Sequence, residues 1–328
     1  MLPKHEIKSI AIFRALQLGD MLCTIPAIRA LRYAYPSASI TLLGLPWAKM
    51  LADKFPNYFN EFIWFPGYPG LPEQPFDASK TINFLNDIIS RKFDLVLQMQ
   101  GNGSVVNPMV ELFGAKHTAG FKIEGHYAPD NGLFLEYPGT LHEIERHLAL
   151  MEYLGIPSQG THLEFPITED HQLPVSAGEY VCVHPGSRGS WRQWPTKYFA
   201  ALADACAGHG LQVVVTGTKD ELEIVNEVIA HMKYDAINAA GKTSLGEIAA
   251  LIRDAFLLIS NCTGVSHIAA ATQTKSIVIS MDGEPQRWGP LNKELHRTID
   301  WTREQDFGNV HKELESLSGW NKEIAQIR

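Results

Sequence analysis

The sequence predicts an α/β protein built from two doubly wound halves, each with a parallel sheet between helices. Three observations lead to this prediction. Short, unbroken apolar runs alternate with longer runs of helical spacing, as in βαβ units. The alternation stops in one polar stretch near the middle of the chain and then begins again. The length of 328 residues is enough for about two domains.

In the first half, apolar runs predict strands and periodic runs predict helices. Strands covered on both faces of a parallel sheet are continuously apolar rather than alternating. Apolar residues three or four apart mark the buried face of a helix. We predict strands at residues 10–13, 39–43 and 95–97, and helices at residues 21–35 and 81–91.

The stretch 156–179 is rich in Pro, Gly, Ser and Thr and has no helical period, so it is predicted to be a linker. We expect one domain over residues 1–160, a second over 175–309, and a C-terminal helix over 310–328 that could pack back on the first domain. Two such halves would place a ligand cleft between them, at the carboxyl ends of the strands. The second half predicts strands at 180–183, 212–216, 256–260 and 276–279, and helices at 196–207 and 219–232.

Composition excludes several classes of protein. The formal net charge of −8 argues against a general nucleic-acid binder. The four cysteines have no CxxC spacing, so we expect buried free thiols rather than a disulfide framework or a zinc site. The N-terminus lacks the apolar core of a signal peptide, and no run of about 20 apolar residues predicts a membrane span. We expect a cytoplasmic enzyme of bacterial type.

The first candidate site is RALQLGD, residues 14–20, after the first predicted strand. Gly19 permits a tight turn into the helix. Asp20 has two interpretations, a helix N-cap or a carboxylate that accepts a proton from a substrate hydroxyl. The segment lacks the GxGxxG pattern, which disfavours a nicotinamide enzyme. Gln100 and Asn102 follow another strand and are candidates for contact with a polar acceptor.

The second candidate site is HPGSRGSWRQWP, residues 184–195. Ser187, Arg188 and Arg192 bring hydroxyl and guanidinium donors together just before a helix, which favours an anion site over a solvated loop. Trp191 and Trp194 would either stack on a base or form a wall of this loop.

The third candidate site is SNCTGVSH, residues 260–267. Thr263 can cap the following helix, and Gly264 leaves room for a phosphate at its first turn. His267 is interpreted either as a core histidine or as a donor to a diphosphate. Cys262 is a weak candidate nucleophile, because no base is paired with it in sequence. Glu221 begins another helix and is either a helix-start carboxylate or a ribose contact.

Two further patterns concern ionisable side chains and metal ligands. A group of ionisable residues shares one helical face and is interpreted as a polar surface face: His142, Glu143, Arg146 and His147. The sequence has no HExxH or comparable spacing of metal ligands, so no metal site is predicted.

Three stretches, in this order, resemble glycosyltransferase family 9, the ADP-heptose:lipopolysaccharide heptosyltransferases. They are LGD at 18–20 followed by IPAIRAL at 25–31, then HPGS with RQWP in the second candidate site, then AGKTSL at 240–245 with Thr263, Gly264 and His267. The resemblance covers most of the chain. Each motif is weak by itself, and the ordered set is fairly specific.

The resemblance implies a GT-B fold, in which two Rossmann-like domains face across a cleft, and an inverting, metal-independent sugar transfer without a cofactor. Asp20 matches the catalytic base, and Arg192 matches a basic residue that steadies the donor diphosphate. The implied donor is a nucleotide-sugar such as ADP-heptose. The implied acceptor is a lipid-linked or lipopolysaccharide-type glycan, reached by peripheral contact with the inner face of the cytoplasmic membrane. Donor contacts are implied for Ser187, Glu221, Thr263, Gly264 and His267, and acceptor binding is assigned to Gly19, Gln100 and Asn102.

The sequence departs from the family pattern at three places. Cys262 stands where the family usually has the Asp of Asp-Thr-Gly, Val265-Ser266 replaces Pro-Met, and Arg192 replaces Lys. Arginine keeps the charge of lysine but not its shape. Two alternatives therefore stay open, a GT-B nucleotide-sugar epimerase or hydrolase, and a nucleotide-binding module in which Cys262 marks a decayed site.

Overall fold

The chain divides into two compact units, Met1–His162 and Leu163–Arg328. The computed structural model describes residue 2 and residues 6–130 and 132–320. The division falls within the predicted linker, and residues 156–179 contain neither helix nor strand. The polar composition of this stretch gives it no periodic apolar face that a helix or strand could bury.

The first unit is a six-stranded parallel sheet with helices between its strands. Its strand order is β3-β2-β1-β4-β5-β6. The strands are β1 Ser9–Phe13, β2 Ser39–Gly44, β3 Glu61–Trp64, β4 Leu95–Gln98, β5 His117–Lys122 and β6 Phe134–Glu136. The helices are α1 Leu18–Ala34, α2 Ala48–Lys54, α3 Ala78–Arg91, α4 Val106–Glu111 and α5 Glu143–Tyr153.

The second unit repeats the same topology. Its strand order is β12-β11-β10-β7-β8-β9, again parallel. The strands are β7 Tyr180–His184, β8 Gln212–Val215, β9 Ala236–Asn238, β10 Leu257–Asn261, β11 Ser276–Ser280 and β12 His296–Asp300. The helices are α6 Thr196–Gly208, α7 Leu222–His231, α8 Leu245–Asp254, α9 Gly264–Thr272, α10 Pro285–Trp288 and α11 Phe307–Ser318.

The central strands are the most completely buried elements. All five residues of β7, β10 and β11 are buried, as are all four residues of β4. This burial is what a parallel sheet covered on both faces requires. Every strand predicted from the sequence lies in the sheet of its unit. The strands that the sequence did not indicate, β3, β5, β6, β9 and β12, are short, interrupted by polar residues or only partly buried.

Three helical predictions need correction at their ends. Helix α1 begins at Leu18, so Gly19 lies in its first turn and forms no tight turn. The predicted helix 219–232 is a 3-10 turn, Lys219–Glu221, followed by α7. The C-terminal helix begins at Phe307 and ends at Ser318. It packs on α6, β11 and β12 of its own unit, while residues 321–328 lie outside the described part.

Candidate functional site

Each sheet has one point at which the chain reverses its direction of travel across the sheet. In the first unit β1 pairs with both β2 and β4, and in the second β7 pairs with both β8 and β10. Loops at the carboxyl ends of such neighbouring strands diverge and leave room for a ligand. The predicted site loops are the ones that follow β1, β4, β7 and β10, so the topology brings them together in two pairs.

Arg14, the first residue after β1, organises the site of the first unit. Its side chain is 1% exposed, and it donates from Nε and Nη2 to the backbone oxygen of Asp20, at 3.0 and 2.9 Å. It also donates to the backbone oxygen of Met99 after β4 and to Glu143 Oε1, the latter at 3.2 Å. A single guanidinium therefore ties α1, α5 and the β4 loop to the end of β1.

The residues interpreted as a polar surface face of α5 are buried, which is a correction. Glu143, Arg146 and His147 are each at most 4% exposed. Glu143 contacts Arg146, and its Oε1 lies 3.3 Å from His147 Nε2. Burial alone would raise the pKa of Glu143, but its hydrogen bond with His147 and the charges around it hold that pKa well below the ordinary range. Glu143 is therefore a buried carboxylate anion.

Asp20 lies on α1 with about a quarter of its side chain exposed, and its Oδ1 is 3.9 Å from Arg14 Nη2. The N-cap of α1 is Gln17, so the N-cap interpretation of Asp20 is wrong. Burial raises the pKa of Asp20, Arg14 lowers it, and the charge of Glu143 raises it again. A carboxylate that is partly exposed and more basic than usual is suited to accept a proton from a bound hydroxyl.

Gln100 and Asn102 occupy different environments in the β4 loop. Gln100 is 3% exposed, and its Oε1 accepts the N–H of Ala15 at 2.6 Å, so its carbonyl oxygen holds the β1 loop in place. Asn102 is half-buried, and its Oδ1 accepts the N–H of Ser104 at 3.1 Å. Of the two side chains, Asn102 is therefore the better placed for contact with a ligand.

In the second unit Asn261, at the end of β10, joins the two central loops. It is 1% exposed, and its Oδ1 accepts the N–H of Trp194 at 3.0 Å. Its Nδ2 donates to the backbone oxygens of Pro185 and Gly186, at 2.7 and 3.3 Å. These bonds fix both ends of the β7 loop against the last residue of β10.

Arg192 projects from the β7 loop to the loops after β10 and β11. Its side chain is about one-third exposed. Its Nη2 donates to the carboxylate of Asp282 and, at 3.3 Å, to the backbone oxygen of Cys262. Ser187 in the same loop is buried, and Arg188 is exposed.

The two tryptophans of the β7 loop have different roles. Trp194 is fully buried and packs against Phe199 and Trp301, with ring centroids 5.1 and 5.2 Å away. It forms a wall of the loop and does not present its ring to a base. Trp191 is 67% exposed, with the Arg192 guanidinium 5.6 Å from its ring centroid.

Glu221 closes the β8 side of this site. Its Oε2 accepts the N–H of Thr218 at 2.7 Å and lies 3.8 Å from Nε2 of His184, the last residue of β7. The capping box formed with Thr218 supports the helix-start interpretation. A Cβ at Gly186 would lie 2.2 Å from the Glu221 carboxyl carbon, so Glu221 sits directly on the β7 loop.

The β10 loop begins α9, with Thr263 at the N-cap position. The Thr263 side chain forms no cap hydrogen bond with the helix, and Thr263 and Gly264 are both half-buried. His267 is 2% exposed and lies one turn into α9. Burial and the charge of Asp282 raise the pKa of Cys262 to about 12, so its thiol is protonated at neutral pH and is not a nucleophile.

All four cysteines are free and buried, as predicted. No group of three or more His, Cys, Asp or Glu side chains in the described residues could hold a metal ion. Likewise, no helix within those residues is long and apolar enough to cross a membrane. A cavity of about 570 Å³ lies at the β12 edge of the second sheet, where Arg297 and Glu313 line it as an ion pair with each other.

The sequence indicates no role for four residues of these sites: Arg14, Glu143, Asn261 and Asp282. Arg14 and Asn261 lie within the candidate stretches 14–20 and 260–267. Arg14 and Asn261 lie at the ends of buried strands, where a polar residue is a usable signal. The spacing of Glu143 predicts a surface position, because sequence spacing does not show what covers a helix face. Nothing in the sequence connects Asp282 with Arg192, 90 positions away.

Comparison with known proteins places these sites in a family context. The model of glycosyltransferase family 9 (heptosyltransferase) matches residues 82–314. The chain is 24% identical to the lipopolysaccharide core heptosyltransferase OpsX of Haemophilus influenzae, over 94% of this chain and 89% of that protein. It is 28% identical to lipopolysaccharide heptosyltransferase 3 of Escherichia coli, over 84% of this chain and 83% of that protein.

A solved structure shows the same fold. The ADP-heptose lipopolysaccharide heptosyltransferase II of E. coli superposes with a TM-score of 0.74 at 21% identity, covering 96% of this chain and all of that one. The predicted fold class, a two-domain α/β GT-B fold, is confirmed by this likeness and by the two parallel six-stranded sheets.

Proposed function

The chain belongs to glycosyltransferase family 9 and is a glycosyltransferase, and from this premise we propose that it transfers heptose from ADP-heptose to a lipopolysaccharide-type acceptor. The observation that carries the proposal is the state of Asp20, which has a partly exposed carboxylate of raised pKa and a backbone oxygen that accepts hydrogen bonds from Arg14, just after β1. The names of the relatives support the choice of donor and acceptor.

Asp20 acts as the general base. It takes the proton of the acceptor hydroxyl as that oxygen attacks the anomeric carbon of the donor, while the bond from the anomeric carbon to the diphosphate oxygen breaks. A single displacement of this kind inverts the anomeric centre, and one base is sufficient for it. Asn102 in the β4 loop contacts the acceptor, and Gly19 leaves space beside Asp20. Gln100 contributes by fixing the loop.

The second unit binds the nucleotide-sugar. Arg192 and Arg188 supply positive charge to the departing diphosphate, and the hydroxyls of Ser187 and Thr263 and the backbone at Gly264 supply hydrogen bonds. His267 lies behind this loop, and Glu221 faces the nucleoside. Fixed donors and charges of this kind stabilise a leaving diphosphate without a metal ion, so we propose a metal-independent transfer with no cofactor.

The acceptor determines where the enzyme works. A lipid-linked or lipopolysaccharide-type glycan is presented at a bilayer, so we propose peripheral contact with the inner face of the cytoplasmic membrane. A glycan in solution would need no such contact. Sedimentation of the protein with vesicles that carry the acceptor, compared with vesicles that lack it, separates these two cases.

The decisive experiment uses Asp20→Asn. We expect the variant to lose about a hundredfold to ten-thousandfold in kcat, because general-base catalysis is worth that much. Its affinity for ADP, measured by calorimetry in the presence of EDTA, is expected to equal that of the wild type. Glu145→Gln, an exposed acid of α5, is the matched control and is expected to keep full activity.

Three outcomes would change the proposal. Transfer by Asp20→Asn at the wild-type rate would exclude Asp20 as the base. Tighter binding of UDP or GDP than of ADP would keep the transferase and replace the donor. Binding of ADP by a wild-type protein that transfers no sugar would favour the decayed nucleotide-binding module.

A further inference from the structure

The carboxylate that pairs with Arg192, that of Asp282, is held in place by further hydrogen bonds. Asp282 is a carboxylate with only 7% of its side chain exposed. One of its oxygens, Oδ1, accepts the hydroxyl of Ser280 at 2.7 Å and the N–H of Glu284 at 3.2 Å. The other, Oδ2, accepts from Arg192. With both oxygens engaged, the carboxylate is fixed and the guanidinium is oriented by it.

Asp282 and Cys262 are neighbours across two adjacent strands. β10 and β11 pair in parallel with Asn261 opposite Ile279, and the N–H of Cys262 donates to the backbone oxygen of Ile279 at 2.8 Å. Each residue lies just beyond the end of its strand. Arg192 contacts both of them, the carboxylate of Asp282 and the backbone oxygen of Cys262. All three groups therefore meet at one point of the second unit.

The side chain at position 262 cannot orient a guanidinium in this chain. The Cys262 thiol is 5% exposed and protonated, and a neutral thiol is a weak hydrogen-bond acceptor. Position 262 therefore provides no carboxylate. Arg192 carries five N–H donors, so it can keep Asp282 as a partner and still offer donors to a phosphate.

We propose that Asp282 is the positioning residue for Arg192, supplying from the loop after β11 the carboxylate that position 262, after β10, lacks. The inference rests on the proposed function, because it takes Arg192 to face the donor diphosphate. On this account Cys262 does not mark a decayed site, because the carboxylate that holds the arginine comes from the loop after the neighbouring strand.

The test moves the carboxylate from position 282 to position 262. Asp282→Ala leaves Arg192 without its carboxylate, and we expect kcat to fall by about tenfold to a hundredfold because the leaving group is no longer met by a fixed charge. We expect the dissociation constant of ADP to change by less than about threefold, since Arg192 keeps its charge. Adding Cys262→Asp to Asp282→Ala is expected to restore most of kcat.

Three further variants serve as controls for this experiment. Cys262→Asp alone places a second carboxylate beside Asp282, and we expect its Tm to fall, with recovery when Asp282→Ala is added. Cys262→Ser in the Asp282→Ala background adds no charge and is expected to restore nothing. Asp235→Asn, an exposed acid on the loop before β9, is the matched control for removal of a negative charge and is expected to behave as the wild type.

The outcomes distinguish this inference from the proposed function. If the double variant recovers Tm but stays as slow as Asp282→Ala, or if Asp282→Ala keeps full kcat, the positioning role is overturned. If the wild type transfers no sugar from any nucleotide-sugar, the proposed function fails. The Tm values of the wild type, Asp282→Ala, Cys262→Asp and the double variant Cys262→Asp/Asp282→Ala then still decide whether 262 and 282 are exchangeable carboxylate positions.

Discussion

Asp20 and Arg192 each lie beside a charged neighbour that the chain supplies from another element. Arg14 holds Asp20 through its backbone oxygen, and Asp282 holds Arg192 through its side chain. The anionic carboxylate of Glu143 contacts the guanidinium of Arg14 as well. The basicity of Asp20 is therefore a balance of burial, which raises its pKa, of Arg14, which lowers it, and of Glu143, which raises it.

Replacing Glu143 by Gln tests this balance through the pH profile of activity. As the proposed general base, Asp20 must be unprotonated, so kcat/KM is expected to fall as the pH drops through the pKa of Asp20. The variant removes a negative charge that raises this pKa, and we expect the acidic limb of the profile to move to lower pH. The measurement is kcat/KM against pH for the wild type and for Glu143→Gln.

The exposed Glu145, two positions along the same helix, provides the comparison. Glu145→Gln makes the same chemical change outside the buried cluster and is expected to leave the limb unmoved. A limb that moves to higher pH in Glu143→Gln, or that moves equally in both variants, would show that Glu143 does not act on Asp20 through its charge.

At the scale of elements, the loop after β4 contributes Gln100 and Asn102 to the first-unit site. Its backbone reverses through two glycines in the left-handed region, Gly101 at φ +60° and Gly103 at φ +89°. The two differ in their surroundings. A Cβ at Gly101 would meet no atom within 4 Å, whereas a Cβ at Gly103 would lie 2.2 Å from the backbone oxygen of Phe121 and 2.5 Å from Asn107 Nδ2.

This contrast predicts unequal costs for the same substitution. Gly101→Ala meets only the backbone penalty, and we expect it to lower the free energy of unfolding by about 1 kcal/mol. Gly103→Ala must in addition push α4 away from β5, and we expect a loss above about 3 kcal/mol. Urea unfolding of both variants checks this. Equal losses would mean that the packing of α4 on β5 does not constrain this loop.

At the scale of the whole molecule, each unit contains a buried histidine whose pKa is strongly lowered. His147 in the first unit and His296 in the second are each 1% exposed. Burial, reinforced by nearby cations, lowers the pKa of each to about 4. Both values lie below the ordinary histidine pKa of about 6.5. Between about pH 4 and about pH 6.5, these two histidines bind protons in the unfolded chain but not in the folded units.

Stability is therefore expected to rise with pH across this window and to be lost as the pH falls from about 6.5 toward 4. Each histidine is expected to cost about 2 kcal/mol of unfolding free energy at about pH 5 relative to neutral pH. Urea unfolding at a series of pH values measures the slope. His296→Gln is expected to reduce that slope in the second unit, and the exposed His231→Gln is the control. An unchanged slope in His296→Gln would contradict the assignment.

By itself, the sequence determined the elements whose physical signal is local. Continuous apolar runs located the central strands, because strands covered on both faces admit few polar residues. Strand ends rich in Gly, Ser, Thr and Arg located the loops that carry Asp20, Arg192 and Thr263. The ordered motifs indicated the family, which the match over residues 82–314 establishes.

Only the tertiary structure decided which distant charges meet. Glu143 and Arg146 read as a solvated helix face, because spacing shows which residues share a face and not what covers it. Asp282 reaches Arg192 across 90 positions because parallel strands β7, β10 and β11 end at one edge of their sheet. Charge pairing depends on distance in space, and the order of strands in the sheet, which the sequence does not state, sets that distance.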